Sequence, residues 1–258
     1  MKHHLASVEF VQIAEDVKAH LASLPSATDS FHEEHVLKAN HYQIIIDETV
    51  AGFASIHEQG TITQFALAES YRHLGQPIYA RLRGHEHVRT ALVPTNDEFF
   101  LAHALDDYRQ LSKQACFFAL ASTRVTAIPG AFSLRLAGSE DLDAIQRESG
   151  DFFEDPEKHI EQGELFLTER DSDVCGFGIM QHSTLHAQTA SIGMFTMERA
   201  RNQGVGAATI GLLIAECQRR GIKPVAGCWY YNHASKRTLE KAGMYSPTRY
   251  LKVEYREG

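Results

Sequence analysis

Cysteine is scarce in this 258-residue sequence: Cys116, Cys175, Cys217 and Cys228 stand far apart, with no Cys-x-x-Cys pair. Neither a disulfide framework nor a zinc ribbon is expected, and free thiols in a reducing compartment are. Long apolar runs are missing as well. No window approaches about 18 uncharged apolar residues, and the start Met1-Lys2-His3-His4 lacks the apolar core of a signal peptide. The third shortage is positive charge. The net charge is -8, with 10 basic and 15 acidic residues through Pro129 and 15 and 18 after it, so no basic face for nucleic acid or an anionic membrane is announced. The expectation is a cytoplasmic protein without nucleic-acid or membrane partners. What is present, 43% hydrophobic and 22% charged residues, is enough for two modest folded domains or one large one.

In residues 7–24 Val8, Phe10, Val11, Ile13, Ala14, Val17 and Leu21 recur at three- and four-residue spacing, which predicts an amphipathic helix ended by Pro25. Short runs rich in β-branched and aromatic residues predict strands at 42–46, 50–57, 61–68 and 90–94. Helices are expected at 71–83 and 99–114. The segment 122–131, with Pro129-Gly130 inside it, reads as a linker, which gives domains 1–127 and 128–258.

A second set follows. Strand 132–136 leads to a helix opening at Ser139-Glu140-Asp141, with Ser139 as the expected cap. Strands 164–169, 174–182 and 189–197 come next, then a helix over 204–220 closed by Gly221. Strand 225–231, helix 235–242 and strand 250–255 end the chain. The two halves share one order of elements, as a diverged internal repeat would.

Two stretches carry chemistry. In the run from Phe195, Thr196 and Met197 to Arg201-Asn202-Gln203-Gly204-Val205-Gly206-Ala207, a strand passes through a small-residue turn into a helix. A helix N-terminus offers unpaired N–H groups and partial positive charge, so such a turn can wrap a phosphate. Glycines at that place can equally serve backbone geometry alone. A Rossmann fingerprint is the poorer reading, because no third glycine completes it and it does not follow the first strand. The second stretch runs from Cys228 through Asn232, Ser235 and Leu239 to Gly243-Met244, and its plainest reading is strand, Asn cap, helix and terminal glycine.

Together the two stretches resemble the GNAT superfamily of acyl-CoA-dependent N-acetyltransferases. Residues 201–206 match the family's R/Q-x-x-G-x-G/A loop, and Asn232 to Gly243 match its N-x-x-S/A…E-K-x-G-F region, with Met244 in place of Phe. The resemblance covers about residues 132–255. It implies an α/β (α+β) fold: two GNAT-like domains, each a mixed, largely antiparallel twisted sheet flanked by helices, with a splayed central strand pair. It also implies acetyl-CoA as cosubstrate, without a metal. Phe195, Thr196, Met197, residues 201–207, Asn232 and Ser235 would hold it, with the N–H of Met194 or Phe195 polarising the thioester carbonyl.

The implied reaction moves acetyl to a primary amine of a small-molecule or peptide acceptor in a monomer or homodimer. A non-catalytic acyl-CoA-binding or interaction protein on the same fold is the alternative. The family's usual Tyr acid falls at Leu239, which leaves Tyr230, Tyr231 or Cys228 to give the proton, or unassisted departure of the thiolate. For the base, Glu198, His182, His186 and a water relay stay open.

The first half carries a fainter copy. Tyr71-Arg72-His73-Leu74-Gly75-Gln76-Pro77 aligns with the loop, and Asn96 aligns with Asn232. Pro77 lacks the N–H that a phosphate would need, so this half resembles a degenerate GNAT domain, with an unrelated α/β domain as the alternative. Its eleven histidines, including His32-Glu33-Glu34-His35 and His85-Glu86-His87, lack the i,i+4 spacing of H-E-x-x-H and read as surface residues rather than metal ligands.

Overall fold

The computed structural model describes residues 3–85, 87–121 and 131–256. The chain forms two compact units, Met1–Cys116 with Pro247–Gly258, and Phe117–Ser246. Residues 247–258, expected with the second half, thus belong to the first unit. Most of the expected linker lies outside the described residues.

The first unit begins with β1 (His3–Val8), α1 (Phe10–Ser23) and α2 (Ser30–Leu37). It continues with β2 (Ala39–Ile46), β3 (Thr49–His57), β4 (Thr61–Leu67), α3 (Gly75–Arg83), β5 (Thr90–Pro94), α4 (Glu98–Ala104) and the greater part of β6 (Tyr108–Leu120). The α1 periodicity does what its spacing predicts: Ile13, Val17 and Leu21 are buried. Strand order is β1-β2-β3-β4-β5, and the second half of the terminal strand Met244–Tyr255 pairs antiparallel with β5. The pairs β1–β2, β2–β3 and β3–β4 are antiparallel, whereas β4–β5 is parallel. A core of Ile44, Ile62, Phe65, Ile78, Leu82, Val93 and Phe100 joins α3 and α4 to this sheet.

The helix expected over 99–114 stops at Ala104, because Asp107 adopts φ 55 and turns the chain into β6. Neither β1 nor α2 is announced by periodicity. In α2 the buried residues are His32, Glu33 and Val36, so no apolar stripe marks it, and Asp29 caps it by accepting the His32 N–H at 3.3 Å.

The second unit holds β7 (Phe132–Leu136), α5 (Leu142–Ser149), α6 (Pro156–Glu161), β8 (Leu165–Arg170), β9 (Asp173–His182) and β10 (Thr189–Thr196). After these come α7 (Val205–Arg219), β11 (Lys223–Trp229), α8 (His233–Lys241) and the start of β12 (Met244–Tyr255). Strand order is β11-β10-β9-β8-β7, antiparallel except for β10–β11. Phe153, Leu165, Leu167, Phe177, Met197 and Val205 form its core.

The start of α5 is not capped by Ser139. Asp141 instead accepts the Gly138 N–H at 2.9 Å and is held by Arg135 at 2.7 and 2.8 Å, while Arg135 also reaches Glu169. The Arg135 guanidinium outweighs partial burial and keeps the Asp141 carboxyl below its ordinary range. Among the described residues no helix is long and apolar enough to cross a membrane.

Candidate functional site

Strands β10 and β11 pair in parallel only over Thr189–Lys223, Ala190–Pro224 and Ser191–Val225. Beyond Ser191 they part, while β10 stays paired with β9 as far as Thr196–Gly176. The register says which backbone groups the parting leaves open. Met197 N–H bonds Cys175 O at 3.0 Å and Ser183 N–H bonds Thr189 O at 3.0 Å. In an antiparallel ladder residues alternate between facing the partner and facing away, so the odd-numbered residues face β9. The Ile192 carbonyl and the main-chain groups of Met194 and Thr196 therefore face the opening, where they need another partner. This parity distinguishes Met194 from Phe195.

At the end of β10 the chain makes a short 3-10 turn, Glu198–Ala200, then passes Asn202 at φ 62 and Gly204 at φ 84 before α7. The loop is braced by its own side chains: Gln203 donates to the Arg199 carbonyl at 3.0 Å and accepts from Arg170 at 2.7 Å. Arg199 in turn donates to the Val174 carbonyl at 2.8 Å. The first helical bond of α7 runs from Ala208 N–H to Gly204 O. The N–H groups of Val205, Gly206 and Ala207 thus have no partner within the helix, and the first turn contains no acidic side chain. A Cβ on Gly206 would come within 3.2 Å of Thr196 Oγ1 and of Thr238 Cγ2, so a side chain there would push these neighbours back by a few tenths of an ångström. Gly204 has open space around it and is required for its left-handed backbone instead.

Across the opening, β11 ends at Trp229 and α8 is capped by Asn232, whose Oδ1 accepts the Ser235 N–H at 3.0 Å. The structural role expected of Asn232 is thereby met. Trp229 is 61% exposed and packs edge-on against Tyr231, and the Lys236 ammonium sits 3.7 Å from the Tyr230 ring centre.

The residues expected to carry protons stand near the ends of both diverging strands: Glu198 exposed in the turn after β10, Cys228 half-buried near the end of β11, and Tyr230 just beyond it. Leu239 is 3% exposed, the buried residue of α8. His186 is buried, and His182 donates its N–H to Glu164 Oε1 at 3.0 Å. The sequence reading missed Phe152, in the turn between α5 and α6: it is 53% exposed, with its ring 5.4 Å from that of Phe195. A pair of phenylalanines in a polar segment was the signal.

The first unit repeats the plan with different filling. β4 and β5 pair only at Thr61–Thr90 and Ile62–Ala91. Ala68 N–H closes the β3 ladder on Ala51 O as Met197 N–H closes on Cys175 O. Counting seven residues on from each makes Gly75 the counterpart of Gly204, and Pro77 that of Gly206.

The helix caps align as well. Asp97 accepts the Phe100 N–H at 3.0 Å, as Asn232 accepts that of Ser235. Asp97, not Asn96, is therefore the counterpart of Asn232. Asn96 donates to the Ser26 carbonyl at 2.6 Å. Gly75 has φ -55, and a Cβ there would meet His103 Nε2 at 2.2 Å and Phe99 Cζ at 2.9 Å. Phe99 stacks on Phe65 at 5.4 Å and lies 4.4 Å from the His103 ring.

Among the described residues no cluster of three His, Cys, Asp or Glu side chains is placed to hold a metal. His32 Nδ1 bonds Thr28 Oγ1 and His35 Nδ1 bonds the Phe31 carbonyl.

Two family profiles match the chain, one described as "Acetyltransferase (GNAT) domain" over residues 10–120 and one as "Acetyltransferase (GNAT) family" over residues 135–244. No curated protein matches it. Among solved structures it is similar to an acetyltransferase from the GNAT family of Colwellia psychrerythraea, with TM-score 0.86, 18% identity, and 99% of this chain and 100% of the other covered. A tandem GNAT protein from the clavulanic acid biosynthesis pathway is similar at TM-score 0.64 and 12% identity, with 100% of both chains covered. A GCN5-related N-acetyltransferase from Sphaerobacter thermophilus is similar at TM-score 0.63 and 13% identity, with 99% of this chain and 96% of the other covered. At these identities the likeness shows the fold.

Proposed function

Because the chain belongs to the GNAT acetyltransferases and carries two such domains in tandem, we propose that its second unit binds acetyl-CoA and transfers the acetyl group to a primary amine. One observation carries this reading: the strand opening and the bare α7 N-terminus lie on the same stretch of chain, residues 192–207. A pantetheine-like arm needs backbone partners along an edge, and a diphosphate needs convergent N–H donors. The residues fit the group. Small side chains at Gly204, Gly206 and Ala207 leave the donors of the first turn uncovered, and no carboxylate there opposes a phosphate.

The thioester supplies an activated acetyl group. In this reading Val205, Gly206 and Ala207 donate N–H bonds to the diphosphate, with Arg201 and Asn202 beside them. Residues 195–197 guide the arm, and the Met194 N–H polarises the thioester carbonyl. Asn232 fixes the start of α8 and Ser235 flanks the arm. The acceptor amine must be neutral to attack, and Glu198 or a water held by it takes the proton. In the same reading Cys228, near the end of β11, or Tyr230, just beyond it, protonates the departing thiolate. Leu239 offers no hydroxyl. Phe152 and Phe195 make an apolar wall on the β10 side.

The second reading is a binding protein without turnover, and the observation in its favour is Leu239, buried where the family's usual acid would stand. A thiol-release assay with acetyl-CoA over polyamines, aminoglycosides, amino acids and peptide N-termini decides between them. Amine-dependent thiol release is expected. Calorimetric binding of acetyl-CoA with no release across the panel supports the binding protein.

A further inference from the structure

A basin of about 990 Å³ opens in the first unit, lined by the C-terminal end of α3, the segment leading into β5 and the end of β12. It is separate from that unit's counterpart of the diphosphate loop, which lies at the N-terminus of α3. In a chain of net charge -8, the described lining contains three arginines, Arg83, Arg89 and Arg256, against a single carboxylate, Asp107.

Arg83 is already engaged. It donates to the Asp106 carbonyl at 3.0 Å and to Asp107 Oδ2 at 3.1 Å, and its guanidinium lies 5.6 Å from the Tyr255 ring centre. Asp107 is thereby neutralised. Neither Arg89 nor Arg256 has a carboxylate partner among the described residues.

Arg89 is held in place before any ligand arrives. Its N–H bonds Gly60 O at 2.8 Å, and its carbonyl accepts the Tyr255 N–H at 3.0 Å. Gly60, at φ 71, tucks under the same segment so closely that a Cβ would lie 1.8 Å from the His87 carbonyl. Arg89 Nη1 bonds the Val88 carbonyl at 2.8 Å, which orients the guanidinium within the segment. The Tyr255 hydroxyl is turned inward to Tyr79 at 2.5 Å, so Tyr255 offers the basin a ring face rather than a proton.

Arg89 and Arg256 are both exposed at the rim of this concave surface, and a guanidinium already oriented there matches the oxygens of a phosphate. The volume suits a nucleotide-sized body. We propose that this basin is a second ligand site, binding a phosphorylated small molecule of nucleotide size with its phosphate on Arg89 and Arg256.

The test is calorimetric titration of the full chain with ADP, with sodium sulfate at equal ionic strength as the control anion, in the parent protein and in Arg89→Gln, Arg256→Gln and Gly206→Glu. ADP is expected to bind. Each arginine variant should weaken binding at this site by about tenfold or more, and the site should persist in Gly206→Glu, where the loop before α7 is blocked. Arg256 is exposed at the end of β12, so its replacement tests the site even where Arg89→Gln disturbs the fold. The proposal is overturned by any of three results: no ADP binding, ADP binding that disappears in Gly206→Glu and survives both arginine changes, or sulfate binding as tightly as ADP.

Discussion

The two units place the same elements around the same kind of strand opening, yet one opening is lined with small residues and the other is filled. Counting from the helix caps, Ala234 and Thr238 of α8 correspond to Phe99 and His103 of α4. In the second unit the start of α7 packs against Thr238, with its first-turn N–H groups uncovered. In the first unit Phe99 and His103 press on Gly75, and Phe99 stacks on Phe65, the counterpart of Met194. Pro77 removes a donor at the place where Gly206 offers one. If the second unit is the one that takes the cofactor, as we propose, the fold alone does not decide it; two side chains on the last helix and one residue of the loop do.

The sharpest way to break this comparison is to block the second loop. Gly206→Glu should weaken CoA binding by at least tenfold, about 1.4 kcal/mol, by calorimetry. Because Gly206 is also closely packed, Ala207→Glu is the cleaner partner. A carboxylate in the first helical turn favours the helix, so this variant should melt no lower than the parent while still binding CoA more weakly. Unchanged affinity in both would remove the diphosphate assignment. Transplanting the plug comes next: Ala234→Phe with Thr238→His should reduce CoA affinity severalfold. The parent is expected to bind one CoA per chain, and Pro77→Gly should leave that stoichiometry unchanged.

Smaller effects follow from packing. Phe99→Ala should lower the stability of the first unit by about 2 kcal/mol in urea unfolding and leave CoA affinity as it was. Loss of CoA affinity in this variant would show that the first unit carries the cofactor site. Leu239→Tyr, which restores the family's usual hydroxyl, should cost about 1–3 kcal/mol by overpacking a buried position, and for that reason should not raise turnover.

What was legible in the sequence followed the strength of its periodicity. Strands β7 to β10 and helix α7 stand within about two residues of their expected limits, because apolar residues and turn glycines mark both ends. The loop motif was legible because it is local: Gly204 and Gly206 lie together in the chain. β1, α2 and β6 were not, since α2 buries His32 and Glu33 instead of an apolar stripe, and β6 is exposed over residues 108–111, so that Tyr108 and Leu111 mark no buried face. The plug was invisible for another reason. Phe99 and His103 lie about 25 residues from Gly75 in sequence, and only the return of α4 onto α3 brings them together. The one-residue error at Asn96 has the same origin, because two adjacent polar residues compete for one cap and only geometry shows that Asp97 holds it.

The change with least bearing on cofactor binding sharpens the contrast through pH. Each unit has a buried carboxylate whose charge burial opposes, Asp29 in the first and Glu164 in the second, with opposite outcomes. Burial pushes Asp29 in the first unit up to about 7, only partly opposed by N–H bonds from His32 and Phe31. Burial also raises Glu164 in the second unit, but its bonds to the His159 ring at 2.8 Å and the His182 N–H at 3.0 Å outweigh this and hold it below its ordinary value. The signs follow from linkage. A carboxyl raised on folding stabilises the folded state fully below its unfolded value, near 4, and that contribution is lost as pH rises to about 7. A carboxyl lowered on folding stabilises above its unfolded value and ceases to as pH falls through its folded one. Asp29→Asn keeps an oxygen for the His32 N–H and removes the titration, so its melting temperature should gain on that of the parent as pH rises from 4 to 7. Glu164→Gln should show the reverse, losing most against the parent at neutral pH and least in acid. Parallel pH profiles for the two variants would mean that the buried carboxylates are not held in these opposite states.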